Sequence, residues 1–260
     1  MTFFLSSDIV LMSEFFGTSS KLGNHIIKLA ERNLEVILVA INRAESNLYR
    51  KYQSVAYAQT AEINPKKTAY NEYGKRFSDI ILALIGLILS SPIVLITMLA
   101  IKLESPGAAL FFQERVGLKG HKFNVIKLRS MRTDAEKNGA QWASKNDPRV
   151  TKIGAFIRKT RIDELPQFYN VLKGDMSLIG PRPERPMFAE DFEREIPGFS
   201  QRLAVKPGLT GWAQVNGGYD ITPKEKLQHD LYYISNMSFV LDLKIIFKTI
   251  RVIFTGEGAR

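Results

Sequence analysis

The 260-residue chain contains no cysteine, which rules out a disulfide framework and any thiolate metal site. Histidine is scarce: His25, His121 and His229 are the three present, far apart and without ligand-like spacing, so no zinc site is expected. There is no internal repeat and no low-complexity tract. The N-terminus lacks a basic region followed by an apolar core, so no signal peptide is expected. Negative charge is in the minority, with 26 acidic against 36 basic residues and a formal net charge of +10. That excess calls for an anionic partner: nucleic acid, an anionic lipid leaflet or phosphorylated substrates.

One stretch favours the membrane surface and phosphates over nucleic acid. Lys75–Leu103 carries no charge from Ile80 to Ile101. About 20 apolar residues suffice for a helix to cross a bilayer. Ser90-Ser91-Pro92 interrupts the run in its middle, and Pro92 cannot donate a backbone hydrogen bond. The serine hydroxyls can serve carbonyls freed by such a break. Basic residues flank both ends, Lys75 and Arg76 before and Lys102 after, which suits two ends on the cytoplasmic side. Two readings stand: a hairpin dipping into one leaflet with its bend at Ser91 and Pro92, and a spanning helix with a proline kink.

Ahead of this run, residues 1–42 read as a β-α-β fragment with a loop between Gly17 and Gly23. The loop has the wrong spacing for a Walker A motif, because Asn24 and His25 follow its second glycine. Residues 43–74 read as a polar linker, 75–103 as the membrane helix and 104–260 as a soluble basic domain. In that domain Leu110–Phe112 and Phe123–Leu128 are expected strands around a turn at Gly117–Gly120. Lys127, Arg129 and Arg132 follow as a cluster that also suits a plain solvated face.

Ile157–Glu184 is the part richest in chemistry. Asp163 and Glu164 are adjacent, so their side chains diverge and can take separate duties. Arg158, Lys159 and Arg161 surround them in sequence, an arrangement that keeps carboxylates ionised. An ionised carboxylate can attack phosphorus while its neighbour holds a hard cation such as Mg²⁺. Thr160-x-x-Asp163 equally matches a helix-capping spacing. Downstream, Pro181 and Pro183 stiffen the backbone around Arg182, a bidentate cation suited to phosphate and equally to a rigid exposed turn.

Several motifs occur in one order: Lys75-Arg76-x-x-Asp79, Ser91-Pro92, Phe111-x-Gln113-x-Arg115-x-Gly117, Lys127-x-Arg129-Ser130-Met131, Asp163-Glu164-Leu165-Pro166-Gln167, Gly180-Pro181-Arg182-Pro183 and Pro207-Gly208-x-Thr210-Gly211-Trp212-Ala213-Gln214. Together they resemble the bacterial sugar transferases, monotopic enzymes that move a sugar 1-phosphate onto a polyprenyl phosphate to start a surface polysaccharide. The resemblance runs from about Lys75 to Arg260. It implies a helix-rich mixed α/β fold, with a re-entrant membrane hairpin and a cytoplasmic catalytic domain of short strands and interfacial amphipathic helices. It implies Asp163 as nucleophile, Glu164 with Asp163 as Mg²⁺ ligands, and Arg158 and Arg182 at the substrate phosphates within the frame of Pro181 and Pro183. For Lys127, Arg129, Arg115 and Gln214 it implies only a substrate-side location. The implied partners are a UDP-sugar, polyprenyl phosphate and the cytoplasmic membrane, with a homo-oligomer or assembly partners also compatible. The N-terminal fragment departs from the family's usual arrangements.

Towards the C-terminus, Trp212 suits either stacking on a base or sugar or packing in the core. Asp191-x-Glu193 lies in a charged helical run and reads as a solvated face rather than a metal site. Ser238–Phe254 puts Lys244, Lys248 and Arg251 on one stripe among apolar residues, the pattern of an interfacial helix or of a core helix with a basic outer face. The expected reaction has competitors in a glycosyltransferase that releases UDP and in a non-catalytic membrane adaptor.

Overall fold

The computed structural model describes residues 63–137, 139, 147–217 and 221–255. The expected β-α-β fragment over residues 1–42 lies outside them, as does most of the expected linker. The linker's last part enters as an irregular run and a π-helical turn, Tyr70–Gly74. That turn leads without interruption into α1, Lys75–Glu104.

α1 is long and apolar enough to cross a membrane, by length and composition. It is also largely uncovered: Phe77, Leu84, Ile88, Leu89, Leu95, Ile96 and Leu99 are all exposed, whereas Ala83 and Ile101 are buried. Both readings of the sequence interrupt or kink the run at Ser90-Ser91-Pro92, and the helix is continuous through these residues. Pro92 has no N–H for the Ile88 carbonyl one turn earlier. Ser91 Oγ donates to that carbonyl at 2.9 Å, so the gap in the ladder is filled by the neighbouring hydroxyl.

After α1 come β1, Leu110–Val116, and β2, Lys122–Leu128, joined by a 3-10 turn at Leu118–Gly120. They pair antiparallel with Phe111 opposite Lys127 and Arg115 opposite Phe123. Both strands run longer than the apolar pattern indicated, because the ladder takes in the polar residues of a half-solvated ribbon. The other edge of β2 is completed by a side chain: Asn170 accepts from the Ile126 N–H at 3.0 Å and donates to the Asn124 carbonyl at 2.8 Å. Asn170 belongs to α3, Gln167–Lys173, which follows α2, Lys152–Lys159, and a 3-10 turn, Ile162–Glu164.

A second, parallel pair joins β3, Ser177–Ile179, to β4, Gly208–Thr210. Between them lie α4, Pro186–Glu195, and a 3-10 run, Phe199–Ala204. The two strands approach so closely that a Cβ on Gly208 would sit 2.1 Å from the Gly180 nitrogen. These glycines therefore bring backbone against backbone. Three helices finish the chain: α5, Trp212–Gly217, α6, Pro223–Asn236, and α7, Phe239–Thr255. α6 starts with a complete capping box, Thr222 and Glu225 each bonding the other's backbone N–H.

Three apolar clusters join these pieces. The largest gathers Ile179, Phe199, Trp212, Leu231, Tyr233, Ile234 and Ile245 under α6 and α7. Ala83 of α1 packs with Val125, Val171 and Met176, and Ile101 packs with Ala109, Leu128 and Ile157. The fold is helix-rich mixed α/β with short strands and one long apolar helix.

Candidate active site

α2 ends at Lys159, and the chain reverses through Arg161, whose φ of 60° lies in the left-handed region. Few residues with a Cβ hold that conformation unless the surroundings impose it. The reversal delivers Asp163 and Glu164 on one 3-10 turn beside β2. Neither acts as a helix cap. Thr160 Oγ1 donates back to the Phe156 carbonyl at 2.9 Å, and the 3-10 turn begins at Arg161 without a side-chain cap.

The two carboxylates have different surroundings. Glu164 takes Lys127 Nζ from β2 at 3.1 Å. Arg182 grips it as well, with Nη1 at 3.3 Å from Oε2 and Nη2 bonded to Oε1. Burial opposes ionisation of Glu164, but Arg182 and Lys127 outweigh it and hold the carboxyl well below the usual carboxylate range. Asp163 is 8% exposed, and it makes no hydrogen bond or ion pair among the described residues. Burial, then the adjacent Glu164 charge, push its carboxyl up to about 6 against the pull of Lys127, Arg182 and Arg158. The cations that act most on the pair are thus remote in sequence. Lys159, close in sequence, is exposed. Arg158 is half-buried and has no hydrogen bond or ion pair among the described residues, which leaves its guanidinium available to a ligand.

Arg182 sits on a loop held at every carbonyl. Pro181 O accepts from Gly208 N at 2.9 Å, and Glu184 O accepts from Val116 N at 2.9 Å. Between them, Arg182 O accepts from Arg202 Nη2 at 2.8 Å and Pro183 O from Arg115 Nη1 at 2.9 Å. Two prolines without N–H groups and four anchored carbonyls leave this stretch little freedom. Arg115 is therefore part of the loop's frame. Its burial and the nearby Arg182 lower its pKa to about 10, which still leaves it a cation near neutrality.

Two residues expected on the substrate side make contacts within the protein. Arg129 donates to the Ser105 carbonyl at 2.9 Å and to Ser105 Oγ at 3.0 Å, clamping the exit of α1. Gln214 donates to the Leu209 carbonyl at 3.1 Å, and its buried Oε1 has no hydrogen-bond partner among the described residues. Trp212 is a core residue, stacked on Tyr232 at 5.2 Å with Lys248 Nζ 4.8 Å from its ring centre. Asp191 pairs with exposed Arg194, and Glu193 caps the Gly198 N–H at 2.9 Å, so that pair is no metal site.

The sequence reading missed a buried ionic cluster behind the loop. Glu184 bonds Lys226 Nζ and lies 3.5 Å from Arg202 Nη1, and Arg202 Nη2 is 2.6 Å from Asp230 Oδ2. Lys226 and Arg202 overcome burial to hold Glu184 down to about 2. Only the position of Glu184 beside Pro183 hinted at it, since its partners come from separate elements with no local spacing.

Among the described residues no three histidine, aspartate or glutamate side chains gather into a metal cage. Mg²⁺ does not need one. It commonly takes one or two carboxylates, several waters and the phosphates of its substrate. Asp163 and Glu164, adjacent on one turn, fit that requirement.

A sequence profile of the family described as bacterial sugar transferase matches residues 70–256. The chain is 54% identical over 189 residues to the UDP-N-acetylgalactosamine-undecaprenyl-phosphate N-acetylgalactosaminephosphotransferase of Aeromonas hydrophila, a match covering 72% of this chain and 45% of that protein. It is 62% identical over 138 residues to a putative undecaprenyl-phosphate N-acetylgalactosaminyl 1-phosphate transferase of Bacillus subtilis, covering 53% of this chain and 77% of the relative. It is 43% identical over 194 residues to the UDP-glucose:undecaprenyl-phosphate glucose-1-phosphate transferase of Escherichia coli, covering 73% and 42%. The matches thus span under half the length of the Aeromonas and Escherichia relatives.

Proposed function

The chain belongs to the bacterial sugar transferase family, and on that premise we propose that it moves a sugar 1-phosphate from a UDP-sugar to polyprenyl phosphate at the cytoplasmic face of the inner membrane. One observation carries the chemistry: a buried Asp163, without a hydrogen-bond or ion-pair partner among the described residues, next to a Glu164 already gripped by two cations. Asp163 is left as the oxygen free to form a bond. Its carboxylate attacks the sugar-proximal phosphorus of the donor, and the bond from that phosphorus to the bridging oxygen breaks. UMP leaves with the bridging oxygen and its electron pair. A phosphate oxygen of the polyprenyl acceptor then attacks the same phosphorus, Asp163 is released, and polyprenyl-diphosphate sugar forms. Arg158 and Arg182 offset the phosphate charge throughout. Mg²⁺, held by Asp163 and Glu164 together with donor phosphates, would add electrostatic stabilisation of the same charge.

The site of action follows from α1. A straight helix of this length would be about 45 Å long, beyond the roughly 30 Å hydrocarbon core. Its start is tied to the domain, Arg76 donating to the Val171 and Leu172 carbonyls at 2.7 and 2.8 Å and Asp79 accepting from Leu178 N at 2.9 Å. Its end is tied to the same domain through Glu104, which accepts from Ile153 N at 3.1 Å, and through the Arg129 clamp on Ser105. A spanning helix would have its ends on opposite sides of the bilayer, and one domain cannot hold both. These anchors support both ends of the helix lying on one face of the membrane, and the bend that a return into one leaflet requires is proposed at Ser91 and Pro92, where the ladder lacks a main-chain N–H.

The test is release of nucleotide by membranes or detergent-purified protein, given polyprenyl phosphate and a panel of UDP-sugars. UDP-N-acetylgalactosamine goes first because the Aeromonas and Bacillus relatives carry that sugar in their names. UMP is the expected product. Release of UDP would refute the phosphosugar transfer, and no turnover of any donor would favour an adaptor.

A further inference from the structure

Arg202 is 2% exposed on the 3-10 run Phe199–Ala204, and Asp230, 1% exposed, lies on α6. Arg202 Nε and Nη2 lie 2.8 and 2.6 Å from Asp230 Oδ2. The same Nη2 donates to the main-chain carbonyl of Arg182 at 2.8 Å. The guanidinium lies 4.9 Å from the centre of the Phe199 ring, which closes it in from one side. No contact among those described takes either residue to Asp163 or Glu164.

We infer that Arg202, oriented by Asp230, is a positioning residue that fixes the backbone of Arg182 and so aims the Arg182 guanidinium at Glu164 and the donor phosphates. The inference rests on the proposed phosphosugar transfer. A buried ion pair is poorly explained by stability alone, since well-packed apolar side chains of similar volume often stabilise a fold as well or better. What this pair adds is direction. Both residues flanking Arg182 are prolines and offer no N–H, so this stretch is held mainly through its carbonyls, and the carbonyl of Arg182 itself is held by Arg202. A planar fork can bond a carboxylate and a carbonyl at once, whereas an ammonium on a flexible stem cannot reproduce that pair of directions.

Arg202→Lys keeps the charge and tests the direction. Initial rates of UMP release at low donor concentration are compared for wild type, R202K, R182A and R202K/R182A, normalised to folded protein. The expected result is a loss of at least about tenfold for R202K in the wild-type background and less than about twofold in the R182A background. Residues that act through one another show such non-additivity. Equal losses in both backgrounds would mean that Arg202 merely stabilises the fold, and full activity of R202K would mean that its geometry is unimportant; either result overturns the inference. If R202K does not fold, Asp230→Asn takes its place in the cycle under the same criteria. The four proteins are also compared for UDP affinity by calorimetry, where the same non-additivity is expected without turnover. A wild type that binds UDP but releases no UMP from any donor would refute the transferase reading, while the affinity cycle still decides the role of Arg202.

Discussion

A buried carboxylate without a hydrogen-bond partner is a cost to the fold, and Asp163, which has none among the described residues, illustrates it. Its pKa of about 6 lies above the ordinary 3.8, so the unfolded chain ionises it more readily than the folded one does. The penalty is fully present above pH 6 and disappears as pH falls towards 3.8, amounting to roughly 2–3 kcal/mol at most. Glu184 behaves oppositely: its pKa of about 2, below the ordinary 4.5, contributes stability above pH 4.5 that is lost as pH falls towards 2. Asp163→Asn is therefore expected to raise the melting temperature at pH 7.5, with the gain shrinking between pH 6 and 4. It should also abolish transfer, by about 10⁴-fold or more for loss of a nucleophile. In the wild type, kcat/KM should rise with pH around a midpoint near 6, because the attacking form is the carboxylate. Full activity of the asparagine variant, or a flat pH profile from 5 to 7, would remove Asp163 from that role.

At the level of elements, α1 and its proline carry the clearest consequence. The Ile88 carbonyl is bonded by Ser91 Oγ where a main-chain N–H would otherwise serve. Pro92→Leu restores that N–H and removes the ring's clash, a change worth about 3 kcal/mol in favour of a straight helix. Single cysteines placed on the two flanks can be labelled specifically, because the natural chain has none. With a membrane-impermeant reagent, the wild type should label from one side only. The leucine variant should show part of its population with flanks on opposite sides, together with reduced activity despite an intact Asp163–Glu164 turn. Unchanged labelling and full activity would show that the proline is incidental to topology.

Over the whole molecule, the base of α1 and the start of α7 share one buried carboxylate. Asp242 receives Lys75 Nζ at 2.6 Å, Tyr70 Oη at 2.7 Å and Tyr233 Oη at 2.8 Å. This joint leaves Val240, Leu243, Phe247 and Ile250 of α7 exposed on one stripe, while Ile245 is buried. α7 thus turns one apolar side to the core and another outward, as an interfacial helix does. An environment-sensitive dye on Phe247→Cys should shift to the blue when lipid vesicles are added and become shielded from aqueous iodide. The same dye on exposed Lys119→Cys should remain accessible. Equal quenching at both positions would detach α7 from the membrane surface.

Much of this was legible in the residues themselves because it depends on near neighbours along the chain. The uncharged run around Pro92, the β1–β2 ribbon, the solvated Asp191-x-Glu193 helix and the ordered motifs of a bacterial sugar transferase all act through spacings of a few positions. Even the serine that serves the freed carbonyl belongs to that local chemistry. Only the tertiary structure decided which cation serves which group. Lys127 and Arg182, far apart in sequence, meet on Glu164, whereas Arg129 turns to the end of α1 and Trp212 to Tyr232. The Arg202–Asp230 pair gave no sign, since nothing in a linear pattern records that two buried charges from separate elements converge beneath one carbonyl. Strand pairing and helix docking make those encounters, and burial then sets their electrostatic strength. The residue types of the site were therefore readable from the chain, and their division into an Asp163 unbonded among the described residues and a doubly gripped Glu164 was not.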